Sequence, residues 1–201
     1  MTAELASPPG LPMTADEFLV WSAERADGRY ELDGGRVVAM AAERVEHAEA
    51  KGATFLALSL AIRRAGLDCQ AFTDGMAVRV DDATVYEPDA SVRCGDRLPR
   101  GTVEFSDSVV VVEIVSPSSK SIDSSAKLRG YFRLPSLRHY VIVDTANRVV
   151  IHHAREGEVI AVRILHDGAV RLDPPGLSVA VTDMLPPPEA EGGDAGQGAG
   201  P

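Results

Sequence analysis

The stretch VVVVEIVSPSSKS, residues 109–121, decides the fold class of this chain. Residues 109–115 form a short run rich in β-branched side chains, which is typical of a strand that helices cover on both faces. Glu113 is the only charged residue in that run. Because an unpaired buried carboxylate is very costly, Glu113 is expected to be ion-paired, hydrogen-bonded or bound to a metal ion. Open α/β sheets place ligands at the carboxyl ends of such strands, so the stretch predicts an α/β protein with a site beside Glu113.

Length and composition predict one globular domain. The chain has 201 residues, of which 45% are apolar, enough for a substantial core. Residues 1–12 lack the basic start and apolar stretch of a signal peptide and are expected to be a flexible segment. The Pro/Gly-rich residues 186–201 predict a disordered tail. The predicted domain therefore covers residues 13–185.

The sequence also predicts where the protein works. No run approaches the roughly 18 apolar residues of a membrane span. Cys69 and Cys94 are the only cysteines, and their spacing is not that of a zinc site. They are expected to be reduced thiols, which indicates a cytoplasmic protein without a membrane anchor.

Charge is unevenly distributed along the chain. The net charge of -10 opposes a general nucleic-acid coat protein, because phosphate contacts need surplus positive charge. Residues 67–120 carry ten acidic and five basic residues, whereas residues 121–140 carry four basic residues against Asp123. Such an arrangement suits a metal site beside a phosphate-binding edge. The charges alone, however, favour a solvated helix face.

Local patterns predict the order of helices and strands. Thr14 with Glu17 forms a capping box for a helix that runs to about Ala26. The glycines after Asp33 predict a hairpin. A long helix is expected over residues 43–66, and a short one with Lys127 begins at Asp123 and ends before Pro135. Strands are predicted over residues 69–73, 77–80, 86–93, 109–115, 138–145, 148–154 and 158–165.

The histidines give weaker signals. His152 and His153 are adjacent on a predicted strand, so their side chains face opposite sides and make a poor metal pair. One is expected at the surface and the other half-buried. His47 lies on the long helix, where a structural role is the commoner one, although it could face the site.

Two carboxylates on neighbouring predicted strands suggest a metal site. Asp89 follows Pro88 at a strand end, and Glu113 lies on the next strand, 24 residues later. If these strands are neighbours, the two carboxylates can converge on one cation. Glu31, on the first hairpin strand, could supply a third oxygen. Hard oxygen ligands favour Mg²⁺ or Mn²⁺ over zinc.

Lysine is scarce, and two lysines follow Glu113. The chain has three lysines against 17 arginines, and Lys120 and Lys127 lie just after the strand. Genomic GC bias could explain the excess of arginine. It does not explain why lysine is kept here, where an amine of tunable pKa could carry out proton chemistry that a guanidinium cannot.

Together these segments resemble the PD-(D/E)XK nuclease superfamily and, within it, the Uma-two family of restriction endonucleases. The resemblance covers residues 13–184 and implies a restriction-endonuclease-like α/β fold, a mixed central β-sheet flanked by helices. It also implies a hydrolase that cuts DNA phosphodiester bonds with a divalent metal ion. The matching segments are YELDGG (30–35), His47, PDASV (88–92), VVEIVSPSS (111–119), DSSAKLRGYF (123–132) and HYVIVDTANRVVIHH (139–153).

The resemblance implies a role for each candidate residue. Asp89, Glu113 and Glu31 would hold Mg²⁺ or Mn²⁺. Val115 stands where the superfamily has its lysine, and the family's lysine is displaced to the next helix, here Lys127. Lys127 would orient the attacking water or stabilise the transition state, with Lys120 as the competing assignment. The residues expected to bind the DNA backbone are Lys120, Arg129, Tyr131 and Arg133.

Two other functions fit parts of the pattern. A catalytically inactive nuclease-like module could bind protein or DNA, and its sign would be a missing ligand residue. A glycosidase that uses a carboxylate pair would need aromatic side chains to stack on sugars, and Trp21 is the only tryptophan. For the nuclease, a homodimer would suit the cutting of both DNA strands.

Overall fold

The structure, a computed structural model, describes residues 12–115 and 124–186. Two sheets and a hairpin are combined with four helices in this part of the chain. The helices are α1 (Ala15–Ala23), α2 (Val45–Ala65), α3 (Ser124–Tyr131) and α4 (Val181–Met184). The strands are β1 (Tyr30–Asp33), β2 (Arg36–Ala39), β3 (Cys69–Thr73), β4 (Ala77–Asp81), β5 (Thr84–Tyr86), β6 (Ala90–Cys94), β7 (Glu104–Phe105), β8 (Ser108–Val115), β9 (His139–Asp144), β10 (Val149–Glu156), β11 (Val159–Leu165), β12 (Ala169–Leu172) and β13 (Leu177–Ala180).

The central sheet has six strands in the order β11-β10-β9-β8-β6-β3. Only β8 and β9 pair in parallel, and the other neighbours are antiparallel. One face packs on α2, α4 and the β12–β13 hairpin, through a core that includes Leu58, Val112, Val141 and Val179. The predicted mixed sheet flanked by helices is therefore confirmed.

The other face of the central sheet carries the site. There Val111 and Ile142 pack against Tyr131 of α3 and against Tyr86 of β5. β5 belongs to the second sheet, whose order is β2-β1-β5-β4-β7. Glu113 lies on the same face as Val111, since both are odd-numbered residues of β8. The side chain of Glu113 is thus enclosed between the two sheets and α3.

Several local predictions are confirmed. Thr14 and Glu17 form both hydrogen bonds of the capping box, although α1 ends at Ala23 and not at Ala26. The β1–β2 hairpin turns at Gly34 and Gly35, both of which have positive φ. α2 ends at Gly66, whose φ of 63° is left-handed, a conformation that favours glycine.

The prediction of a single strand over residues 86–93 is wrong. Residues 84–86 form β5 in the second sheet, and residues 90–94 form β6 in the central sheet. Pro88 lies between them and cannot donate a hydrogen bond to a sheet. Asp89 therefore precedes β6. Because β6 is antiparallel to β8, the amino end of β6 lies beside the carboxyl end of β8.

The prediction of two reduced thiols is also wrong. Cys69 and Cys94 are Cα partners on β3 and β6 and form a disulfide. The two cysteines become opposite only through the pairing of these strands. The disulfide removes the support that reduced thiols gave to a cytoplasmic location.

The histidine pair differs from the expectation of one surface and one half-buried residue. His152 and His153 are both buried, with 3% and 8% of their surface exposed. Nε2 of His152 lies 2.9 Å from Nδ1 of His139. Burial lowers the pKa of all three histidines, and that of His152 falls to about 4.

The predicted segments at the two ends, residues 1–12 and 186–201, lie outside the described residues except for Pro12 and Pro186. Asp123, the predicted helix cap, also lies outside them. In the described part of the chain, no helix is both long enough and apolar enough to cross a membrane.

Candidate active site

Lys127 lies between two of the predicted carboxylates. α3 carries it to the point where the two sheets meet, and its Nζ lies 2.9 Å from Oε1 of Glu31 and 3.1 Å from Oε1 of Glu113. One turn later, the hydroxyl of Tyr131 donates a 2.9 Å hydrogen bond to the same Glu113 oxygen. Glu113 thus has the partners that its burial requires.

Asp89 is attached to β8 directly. Its Oδ2 accepts a 2.7 Å hydrogen bond from the backbone N–H of Ile114, the residue after Glu113. Its Oδ1 lies 3.0 Å from Nε2 of His47 and 3.2 Å from Nζ of Lys51. Burial alone would raise the pKa of Asp89, but these partners outweigh it and the pKa is lowered.

Glu31 reaches the site from the second sheet. It lies on β1 and is 6% exposed. Besides Lys127, its Oε1 accepts a 2.9 Å hydrogen bond from the backbone N–H of Glu87. The three predicted carboxylates therefore come from β1, from the residue before β6 and from β8.

The charges at the site perturb one another. Burial raises the pKa of Glu113 most; Lys127 partly opposes this, and Asp89 and Glu31 raise it further, to about 7. For Lys127, burial lowers the pKa, but Glu113 and Glu31 outweigh it and the net pKa is raised. Lys127 is accordingly a cation at neutral pH.

A wider ionic network surrounds this core. Lys51 pairs with Glu43 and, at 3.1 Å, with Asp74. Arg29 pairs with the same two residues and with Glu87. The site and this surrounding network together contain six carboxylates and three permanent cations. The carboxylates are those of Glu31, Glu43, Asp74, Glu87, Asp89 and Glu113, and the cations are Arg29, Lys51 and Lys127.

The donor set fits a divalent cation. Carboxylates outnumber permanent cations in the network, and the ammonium of Lys127 already holds a positive charge between Glu31 and Glu113. Carboxylate oxygens are the ligands that Mg²⁺ and Mn²⁺ prefer. Among the described residues, the group whose potential ligand atoms all lie within 4.8 Å of one another is Glu43, His47 and Asp89. Of the three predicted ligands, this group contains Asp89 but not Glu31 or Glu113.

The residues expected to bind DNA are placed differently from one another. Arg129 is exposed on α3, and Arg133 is exposed and ion-paired with Asp81. Tyr131 is fully buried beneath Glu113 and not at the surface where a DNA contact requires it. We therefore interpret Tyr131 as a support for Glu113. Lys120 lies outside the described residues.

Sequence reasoning did not single out Lys51, and it left His47 open. Both lie on α2, four residues apart, so that they project from the same side of the helix. Both contact Oδ1 of Asp89. The scarcity of lysine, applied to all three lysines, would have drawn attention to Lys51.

Comparisons with known proteins identify the family and the fold. The family model Uma2, described as "Putative restriction endonuclease", matches residues 15–185. An uncharacterised protein of Synechocystis sp. is 27% identical over 184 residues, which are 90% of this chain and 95% of the relative. A crystal structure from Anabaena variabilis, described as "a putative nuclease belonging to DUF820", superposes with a TM-score of 0.70 at 17% identity. The match covers 86% of this chain and 97% of that one. At this level of identity it shows that the two proteins share a fold. The resemblance found in the sequence is confirmed: the chain belongs to the Uma2 family.

Proposed function

We propose that this protein is a metal-dependent endonuclease that hydrolyses DNA phosphodiester bonds. The observation that carries the proposal is the meeting of Glu31 and Glu113 at Lys127, with Asp89 hydrogen-bonded to the residue after Glu113. Membership of a family described as restriction endonucleases supports the nuclease class. The same membership supports DNA as the substrate.

Asp89, Glu113 and Glu31 would hold the divalent cation, Mg²⁺ or Mn²⁺. When bound, the cation supplies Lewis-acid polarisation of the phosphate and a coordinated water of lowered pKa. The hydrogen bond from Ile114 fixes Oδ2 of Asp89, whereas Oδ1 faces His47 and Lys51, with which a bound cation would compete for this oxygen. His47 orients that second oxygen from α2.

Lys127 supplies positive charge beside the reacting phosphate. A phosphodiester repels nucleophiles, and its transition state gains negative charge, so a fixed cation lowers the barrier. The raised pKa of Lys127 keeps it protonated. It can therefore donate hydrogen bonds to the attacking water or to a phosphate oxygen, and it accepts no proton in this state. Tyr131 keeps Glu113 in place during these events.

Arg129 and Arg133 would bind the DNA backbone. Both are exposed and lie on α3 or just after it, close along the chain to Lys127. Phosphate contacts of this kind position the duplex without reading its sequence. Lys120 would add to them from the segment that precedes α3.

The test is cleavage of supercoiled plasmid by the purified full chain with millimolar Mg²⁺ or Mn²⁺. We expect nicked and linear products that EDTA abolishes. Glu113→Gln should reduce cleavage by at least about 10²-fold, the usual cost of losing one catalytic group. The matched control is Glu104→Gln, which removes an equal charge from a pair with Arg79 outside the site.

Two results would contradict the proposal. Equal cleavage by wild type and Glu113→Gln would show that Glu113 is not required for the activity and would contradict the proposed site. Binding of DNA without cleavage, with every divalent metal tried, would favour the alternative of an inactive nuclease-like module.

A further inference from the structure

The edge strand β11 exposes an unusual apolar surface. It is the last strand of the central sheet and pairs only with β10 among the described residues. Proteins normally protect such edges with charges, prolines or bulges, because unpaired backbone groups recruit another strand. β11 instead pairs with β10 without a bulge from Val159 to Leu165. Ile160, Val162 and Ile164 are 37%, 55% and 63% exposed.

These three side chains share one face of the strand, because they alternate along it. The face is the one that carries the candidate site. Cα partners run in register from Glu113 to Ile142, then Ile151 and finally Ile164. Ile142 and Ile151 are packed in the core between the two sheets, whereas Ile164 is exposed. The apolar surface is thus the uncovered continuation of that core.

β11 is complementary to a second copy of itself. In an antiparallel pair centred on Val162, Ile160 faces Ile164 of the other copy, and the two Val162 side chains meet. Just beyond the strand, Glu158 faces His166 of the other copy, which opposes a carboxylate to an imidazole. Residues 187–201, by contrast, contain no valine, isoleucine or leucine that could cover the surface.

We propose that two copies of this chain pair through β11 into a two-fold dimer with one continuous twelve-stranded sheet. Cross-strand apolar pairs of this kind stabilise antiparallel sheets. A two-fold pairing also closes the interface, so assembly stops at two copies. The free edge and the exposed apolar face are buried in the same contact.

The dimer would place both candidate sites on one face of the joined sheet, because the two-fold axis of such a pair is perpendicular to the sheet. Seven strand spacings separate the two Glu113 strands, about 34 Å at ~4.8 Å each. The two residues are also offset by four positions along the strands, about 13 Å. Because neighbouring strands are rotated by roughly 20–25°, the seven steps also turn the two Glu113 side chains toward opposite sides of the dimer. The dimer does not rest on the proposed nuclease function.

The test is the mass of the full chain in solution, measured by sedimentation equilibrium and by light scattering after size exclusion. We expect a dimer for the wild type. Val162→Lys places two ammonium groups face to face at the two-fold axis and should weaken the dimer at least about 100-fold. The matched control, Val20→Lys, changes a valine on α1 that is 67% exposed and should remain dimeric. A monomeric wild type, or a Val162→Lys variant that stays dimeric, would overturn the proposal.

The strand register has its own test. Val162→Cys should form a disulfide between two chains under mild oxidation, visible on a non-reducing gel, whereas Val20→Cys should not. Ile160→Glu should weaken the dimer, and adding Ile164→Lys in the same chain should restore it through Glu–Lys pairs across the axis. Failure of both the cross-link and the restoration would exclude this pairing of β11.

The two proposals fail in different ways. A wild type that is dimeric and nicks plasmid, together with a Val162→Lys variant that is a folded monomer, would support both proposals. A dimer without nuclease activity would contradict the proposed function and leave the β11 interface intact.

Discussion

Asp89 accepts a 2.7 Å hydrogen bond from the backbone N–H of Ile114, the residue after Glu113 on β8. The carboxylate of Asp89 is thus held beside β8, next to Glu113. The spacing of the two candidate ligands is therefore set by the pairing of β6 with β8 and not by flexible side chains alone. Residues that must share an ion need such fixed placement.

Divalent metal should stabilise the protein through the carboxylates. Millimolar Mg²⁺ or Mn²⁺ is expected to raise the melting temperature, because a ligand that binds only the folded state stabilises it. Glu113→Gln should remove most of that rise by removing one ligand charge. Thermal unfolding monitored by circular dichroism measures both. Glu104→Gln is the control, and a full metal response in Glu113→Gln would place the ion elsewhere.

Stability without metal should fall as pH rises. The pKa of Glu113 is raised from 4.5 to about 7 in the folded protein, so its contribution is fully present below pH 4.5 and is lost as pH rises through 7. The full loss is on the order of 3 kcal/mol. Urea unfolding in EDTA between pH 5 and 8 should show this decline, and Glu113→Gln should flatten it.

His47 also makes the stability depend on pH, and this contribution remains in Glu113→Gln. Burial lowers the pKa of His47, but Asp89 outweighs it and the pKa is raised. Its contribution is therefore present below the unfolded value of 6.5 and is also lost as pH rises. An unchanged pH slope in Glu113→Gln would show that Glu113 is not the titrating group.

Loss of Lys127 should affect both activity and stability. Lys127→Ala leaves Glu31 and Glu113 without their shared cation, and breaking a buried ion pair costs about 3–5 kcal/mol. Metal should recover part of that loss. Plasmid nicking should fall at least about 10²-fold. Lys127→Arg should retain more activity than Lys127→Ala, because a protonated Lys127 supplies charge and a guanidinium keeps it. Equal loss in the two variants would show that the amine itself is required.

Gly130 should be required for the approach of α3 to β5. A Cβ at this position would lie 2.5 Å from the hydroxyl of Tyr86, a buried side chain that is hydrogen-bonded to Asp33. Gly130→Ala should therefore displace α3, destabilise the protein by about 1–3 kcal/mol and reduce nicking. Gly52→Ala in α2, where a Cβ meets nothing within 4 Å, should instead be neutral or stabilising. Similar melting temperatures for the two variants would contradict this.

The sequence was most informative where one local rule controls the outcome. The β-branched run around Glu113 predicted β8, and the glycine after Ala65 predicted the end of α2. Glu113, the only charged residue of the β8 run, also indicated the site, because a buried charge needs partners whatever the position of the strand in the sheet. These inferences needed no knowledge of which elements are neighbours.

Features that depend on strand register could not be predicted in this way. The disulfide exists because Cys69 and Cys94 are opposite each other on β3 and β6. Lys51 reaches Asp89 only because α2 packs beside the amino end of β6. Residues 86–93 were predicted as one strand, but β5 and β6 lie in different sheets. A proline in the sequence can indicate a break in a strand, but it does not indicate that the chain passes to another sheet.

The hydrogen bond between Lys127 and Glu31 connects residues that are 96 positions apart in the sequence. It connects β1, near the start of the chain, to a helix in its second half. During synthesis, the site cannot assemble until α3 has emerged from the ribosome, because a segment can fold only after it has emerged. A nascent chain without α3, or a chain truncated past β1, would therefore lack this site, and the proposed activity would require both segments to be folded together.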